Sequence, residues 1–304
     1  MAKTDSYQII TDRIMSLLEQ GVVPWHKPWT GGGMALPKNF PKNFKSRKEY
    51  RGINIWTLAA TSMMRGYTSR YWLTFKQAKD AGGHVKKGEK ATPVCYFQWI
   101  VKEDDDGNKK RIPLLRWFSV FNLDQCEDVK RPDDDISLEP VETPEFSPIE
   151  VCEQVAKAMP NAPKVRFDEQ RAFYSPVLDY INMPKPETFE SPEEYYSTLF
   201  HEQGHSTGHT SRVGRKGVEE ATYFGSESYS KEELVAEMTA AFLCGHCGIE
   251  NKTIDNSASY LQNWLSKLAD DKRLIVHAAA AAQKATDYIL GATWKKEDEE
   301  KEAA

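Results

Sequence analysis

Residues Ser191 to His209 read SPEEYYSTLFHEQGHSTGH. Ser191 suits a helix N-cap, Pro192 the first helical position, and Glu194 three residues on completes a capping box. His201-Glu202-Gln203-Gly204-His205 follows within the same predicted helix. Histidines at i and i+4 share one helix face, about 6 Å apart along the axis, close enough to bind one metal ion. Glu202 lies beside them, where a carboxylate can take a proton from a metal-bound water. The competing reading, two solvated histidines near a helix end, leaves the start signal and Glu202 without a purpose. The stretch predicts a helix carrying a zinc site.

Catalytic zinc takes three protein ligands and keeps one position open. His209 is one candidate for the third. Continued as helix it would sit about 12 Å along the axis from His201, so it can ligate only if Gly208 breaks the helix. Gly208 also gives H-E-x-x-H-x-x-G, but Ser211 stands where that longer motif wants histidine. The preferred candidate lies in Ser230 to Phe242, read as another capped helix. There Glu233 and Glu237 fall one turn apart on an otherwise apolar face, where a carboxylate needs a partner. Glu233 also stands three residues after Ser230 and suits a capping box, but that does not account for Glu237. The assignment is therefore His201, His205 and Glu233 to the ion, and Glu237 to orient a ligating imidazole. Cys244-Gly245-His246-Cys247 resembles a redox dithiol, but it ends a helix instead of opening one and is read as packing.

The chain has 304 residues, enough for two domains each with its own core. Five cysteines are too few and too uneven for a disulfide framework, which points to a reducing cytoplasm. Met1 to Ile10 has neither the apolar core nor the cleavage site of a secretory signal, and no apolar run has the length of a membrane helix. The net charge of −5 conceals an asymmetry: residues 1–131 carry net +10 and residues 132–304 net −15. Opposite signs on the two halves indicate two different partners.

The front half, residues 1–130, reads as an α+β domain. It has an amphipathic helix over 4–20, a second over 53–64, a third capped by Thr74, and a hairpin of 93–101 and 112–121 turning at Asp104 to Asn108. Six of the eight tryptophans fall before residue 118, interleaved with bases. Basic side chains neutralise phosphates and exposed rings stack on unpaired bases, a combination that favours single-stranded nucleic acid. The candidate contacts are Trp25, Lys27, Trp29, Phe44, Lys45, Arg47, Lys48, Tyr50, Arg51, Arg70, Tyr71, Lys86 and Lys87. For the rings among them a core position is equally open. Trp56, Phe97, Trp99 and Phe118, placed in regular elements, are assigned to the core. Residues 131–148, acidic and rich in proline, read as a linker, and 149–304 as a second domain.

Taken together the chain resembles the ArdC-type antirestriction proteins of conjugative plasmids over nearly its whole length. The likeness rests on Gly21 to Trp25, Tyr50 to Asn54 and Trp72 to Phe75 in front. Behind, it rests on Phe200 to His209, Glu232 to Phe242, and Tyr260, Trp264 and Leu268. It implies an α+β fold of two domains, an N-terminal α+β domain that binds single-stranded DNA and a C-terminal, mainly helical, zincin-like metallopeptidase domain. It also implies protection of entering plasmid DNA from host restriction. The expectation is a monomer holding Zn2+ or another divalent metal such as Mn2+, with single-stranded DNA and a host protein substrate as partners. Two rivals are a DNA-binding protein whose metal is structural, and a protease acting on a host regulator with DNA as its trigger.

Overall fold

The computed structural model describes residues 5–25, 40–103, 109–135, 148–215, 218, 227–249 and 258–292. Helix α1, Ser6–Glu19, starts at Asp5, whose carboxylate accepts from the Tyr7 amide at 3.0 Å. It buries Ile10, Ile14, Leu17 and Leu18, the i, i+4, i+7, i+8 stripe of an amphipathic helix. Strand β1, Lys42–Asn43, precedes α2, Ile53–Arg65, which stops at Gly66 with φ 67°, a left-handed cap suited to glycine. After β2, Tyr71–Leu73, Thr74 and Gln77 form a reciprocal capping box on α3, Phe75–Asp80. The short strands β3, His84–Val85, and later β6, Cys126–Glu127, pair with each other. Between them run β4, Thr92–Glu103, and β5, Lys109–Asn122, in antiparallel register from Thr92–Val120 to Glu103–Lys109. The expected turn at Asp104 to Asn108 lies outside the described residues. The main front sheet has the order β1-β2-β5-β4.

The rear half begins with α4, Pro148–Ala158, and a small sheet of β7, Lys164–Arg166, β8, Phe173–Ser175, and β9, Tyr180–Asn182, with β9 in the middle. Among the described residues these are followed by the helices α5, Pro192–Ser206, α6, Glu227–Cys247, α7, Ala258–Asp270, and α8, Leu274–Ile289. The described residues contain no helix long and apolar enough to cross a membrane. Cys152, Cys244 and Cys247 are all buried in one apolar cluster with Phe200 and Met183.

Two features cross the expected division, and two expectations need correction. Each half has buried clusters of its own, but a further core is shared between them. Ile10, Ile14, Trp25 and Trp56 belong to one buried cluster with Met238, Phe242, Trp264 and Ile275, and the rings of Trp56 and Phe242 lie 4.4 Å apart. Residues 131 and 135, at the start of the expected linker, also make contacts with the front half. Asp135 accepts from Ser69 Oγ at 2.7 Å, and Arg131 pairs with Asp124 and Asp135. Ser230 is not an N-cap: α6 starts a turn earlier, and the Ser230 hydroxyl accepts from Lys267 Nζ at 2.6 Å. Finally, Phe97 and Phe118 are 47% and 45% exposed, not core residues, while Trp56 is fully buried as expected. Both exposed rings stand on a two-stranded ribbon. The Trp99 side chain lies outside the described set.

Candidate metal centre and basic cleft

Ser191 caps α5 by accepting from the Glu194 amide at 3.2 Å. The returning contact of the Glu194 carboxylate goes one residue further back than a capping box requires, to the Glu190 amide at 2.8 Å. The helix then carries His201 and His205 to the same side, with their Nε2 atoms 3.1 Å apart. Glu233 comes from α6, and its two carboxylate oxygens lie 3.5 Å from the two Nε2 atoms. Donor atoms 2.0–2.1 Å from one tetrahedral ion are separated by about 3.3 Å, so this triangle has the size a single zinc-like ion requires. Among the described residues, this is the group of histidine and carboxylate side chains whose donor atoms converge, all within 4.8 Å. Nitrogen and carboxylate donors suit zinc and manganese alike.

Gly204, between the two histidines, explains how α6 gets so close. A Cβ there would lie 3.2 Å from both Ala236 Cα and Thr239 Cβ, tighter than ordinary van der Waals contact. Glycine lets the helices approach at the level of the ligands. At the end of α5 the chain turns off at Thr207, and a Cβ on Gly208 would strike Val218 at 2.4 Å. His209 leaves the helix axis there, and its Nδ1 lies 2.8 Å from Ser211 Oγ, away from the cluster.

Burial opposes charge on His201, but Glu233, Glu202 and Glu237 outweigh it and raise the imidazole pKa to about 9. The centre is thus a strongly negative pocket that attracts a proton or a metal cation. Glu202 is buried, adjacent to His201 on α5.

The residues behind the ligands differ from the expectation. Among the described residues Glu237 accepts from Trp25 Nε1 at 3.2 Å and from Tyr260 Oη at 2.5 Å, with no imidazole in hydrogen-bond contact. Burial raises its pKa, while Tyr260, His201 and Trp25 pull it back. The carboxylate that meets an imidazole is Glu232, whose Oε1 lies 3.5 Å from His205 Nδ1. Arg215 clamps Glu232 through Nε at 2.9 Å and a second contact from its Nη2, and its Nη2 also donates to the Gly204 carbonyl at 2.8 Å. Burial pushes the Glu232 carboxyl up, but His205 and Arg215 more than offset it and hold its pKa below the usual value. Glu232 adjoins Glu233 in sequence, so the acidic pair was the available signal. Arg215 had none, since a loop brings it in from 17 positions away.

The candidate nucleic-acid contacts divide. Trp25 and Tyr71 are fully buried, so neither ring offers a face to a base: Trp25 sits on Glu237, and the Tyr71 hydroxyl donates to Asp134 at 2.6 Å. Arg70 is paired with Asp134 at 2.6 Å, and Lys86 Nζ donates to the Asp124 carbonyl at 2.9 Å. Lys45, Arg47, Lys48 and Lys87 are exposed. The Arg47 guanidinium lies 4.9 Å from the ring centres of both half-buried Phe44 and Tyr71. Arg47, Lys48, Tyr50 and Arg51 gather along one cleft where the front half meets α6 and α8. Lys27 and Trp29 lie outside the described residues.

Two family models match the chain in tandem: residues 4–121 match the N-terminal domain of anti-restriction factor ArdC, and residues 152–281 a zincin-like metallopeptidase domain. The chain is 34% identical over 310 residues to the DNA primase TraC of Escherichia coli, covering 95% of this chain but only 27% of that protein. It therefore spans about a quarter of the length of this curated relative. The crystal structure of metal-free antirestriction protein ArdC from plasmid R388 superposes with a TM-score of 0.72 at 39% identity, covering 94% of this chain and 97% of that one. The Mn(II)-bound structure of that protein gives 0.73 at 37% identity, over 95% and 98%. Similarity of this degree over both units at once, in the same order, places the fold beyond coincidence of a single motif. The chain belongs to the ArdC family of antirestriction proteins, with an ArdC-type N-terminal domain followed by a zincin-like metallopeptidase domain.

Proposed function

We propose that this chain is a cytoplasmic antirestriction protein that binds single-stranded DNA without sequence preference and carries a divalent-metal site of the peptidase type. The metal reading rests on one observation, the convergence of His201, His205 and Glu233 within the zincin-like unit. Zinc is the first choice for this donor set, and the Mn(II) bound by the R388 protein makes manganese the second. When bound there, such an ion supplies Lewis acidity toward a substrate carbonyl and lowers the pKa of a coordinated water. Glu202, buried beside His201, would accept a proton from the water that adds to the carbonyl and return it to the amine of a host protein substrate as the C–N bond breaks. Glu232 holds the His205 ring through Nδ1, leaving Nε2 for the ion, and Arg215 keeps Glu232 ionised and in place. Single strands are held by the exposed cations and rings of the front unit, so affinity falls steeply with salt.

A second reading makes the metal structural, with protection arising from coverage of the DNA. It is favoured by the contact of Glu237 with Trp25, which joins the front unit to the region of the ligands. Glu202→Ala separates the two. Calorimetric titration with Zn2+ or Mn2+ is expected to show metal affinity within a few-fold of the parent chain. Protection of transferred DNA in a restricting host is expected to fall to the level of Glu233→Ala, which does not bind the metal. Full protection by Glu202→Ala with metal bound would remove peptidase chemistry from the function and leave the structural reading.

A further inference from the structure

The cleft between residues 40–55 and the helices α6 and α8 encloses about 560 Å³, within the range of roughly 300–1,000 Å³ typical of small-ligand sites. Its inner lining is apolar, with Phe40, Ile55, Phe242 and Leu290. Its rim is basic. Lys42 and Arg51 face carboxylates, Glu49 at 4.0 Å and Asp287 at 2.5 Å. Arg47 and Lys48 are exposed and, among the described residues, have no carboxylate partner. His246, half-buried on α6, also lines the cleft. Burial lowers its pKa below the ordinary value, so near neutral pH the ring is uncharged, with one nitrogen to donate and one to accept.

An apolar slot with a neutral hydrogen-bonding edge and uncompensated cations at the mouth matches one unit of a single strand. The flat base goes inside and its phosphates stay outside. A duplex keeps its base faces stacked and cannot use such a slot. The geometry points to this cleft as a nucleobase pocket: one unstacked base of a single strand lies on the apolar floor against His246, with adjacent phosphates on Arg47 and Lys48. The inference deepens the single-strand reading above and rests on it. It adds that the zincin-like unit takes part in DNA binding, since His246 and Phe242 belong to that unit while the phosphate cations belong to the other.

The wall is well built for the purpose. Gln283 Oε1 accepts from the Gly52 amide at 3.1 Å, and its Nε2 donates to Asp287 at 3.2 Å. Gly52 has φ 55° and starts α2, so α8 and the basic loop are stitched together where the cleft closes. A preformed slot loses little ordering entropy on binding.

The test uses the full chain and fluorescence anisotropy with labelled oligothymidylate about twenty nucleotides long, set against an abasic strand of the same length and charge. The parent chain is expected to bind the thymidylate at least tenfold more tightly than the abasic strand, since each held base contributes. Leu290→Trp, which fills the cleft, is expected to cut that margin about tenfold, the share of one held base, and leave abasic binding unchanged. His246→Ala is expected to shrink the margin several-fold without adding bulk, and it decides the matter if Leu290→Trp does not fold by circular dichroism. Lys48→Glu is expected to weaken both strands alike, about tenfold. A margin unchanged by both cleft substitutions overturns the pocket while the single-strand reading stands. Failure of the parent chain to bind either strand overturns that reading and the pocket with it.

Discussion

Trp25 and Trp117 carry the same ring and both lie in the basic half of the chain, yet one is fully buried and the other 39% exposed. Trp25 follows the turn after α1 and drops between the two units. Its indole meets Trp264 edge-on at 6.4 Å, and its N–H reaches Glu237. Trp117 stands on β5 opposite Cys95. Asn54 of α2 bonds the Cys95 backbone in both directions, at 2.7 and 2.8 Å, so the helix reaches this level of the ribbon. The Trp117 ring beside it still keeps more than a third of its surface in water. The lesson is that local basic context and regular secondary structure both mislead about burial. What decides is whether another side chain packs on the ring itself, as Trp264 does on Trp25.

The largest test of this contrast is truncation. Trp25→Ala removes a fully buried ring from the cluster shared by both units and is expected to cost about 3–5 kcal/mol. Trp117→Ala removes a partly wetted ring and is expected to cost below about 1.5 kcal/mol. Urea midpoints of the two variants and the parent chain measure the difference. Equal losses would mean that the ribbon is as firmly packed as the shared core.

That contrast also marks what was legible in the sequence. Features fixed within one element were readable: the α5 start at Ser191, the i, i+4 histidines, the Thr74 cap, and the apolar stripe of α1. Glu233, which converges with the two histidines, was singled out because a carboxylate on a buried face demands a partner. Features made between elements were not readable. Glu237 has the right spacing to serve the metal but meets Trp25, more than 200 positions earlier, and no periodicity carries that information. Glu232 was passed over because it stands off the apolar stripe, and only the approach of Arg215 from a loop gives it a role. The shared core escaped for the same reason, since two amphipathic halves look alike whether they bury their stripes separately or against each other.

The next test follows proton uptake at the buried end of the Trp25 contact. Burial raises the Glu237 pKa above the usual carboxylate value, and its hydrogen-bond donors reduce but do not cancel the effect. A carboxyl that binds its proton more tightly when folded contributes stability below its unfolded value of 4.5, and that contribution is lost as pH rises through the folded value. The metal-free chain should therefore lose stability in this window. Each tenfold difference in proton affinity is worth about 1.4 kcal/mol. Glu237→Gln, which stays neutral, is expected to flatten that part of the profile. A profile as steep as the parent's would locate the titration elsewhere. Trp117, with no carboxylate against it among the described residues, provides the control: its alanine variant should shift the curve without changing its slope.

The smallest effect asks whether Trp25 is held by shape or by its N–H. Trp25→Phe keeps most of the ring and removes the donor, and Glu237→Met keeps the side-chain volume and removes the acceptor. Each alone leaves a buried polar group with one partner fewer: Glu237 keeps Tyr260 when the indole goes, and the Trp25 N–H keeps the Tyr260 Oη at 3.2 Å when the carboxylate goes. The double variant lacks both ends of the indole contact, so a double-mutant cycle isolates that contact. A hydrogen bond to a buried carboxylate predicts a coupling of about 1.5–3 kcal/mol. If coupling is that large, the charge of Glu237 selects Trp25 among the aromatics of the basic half and orients the front unit on the metal-bearing one. A coupling below about 0.5 kcal/mol would leave packing alone to distinguish Trp25 from Trp117, and the contrast would reduce to how much apolar surface each ring meets.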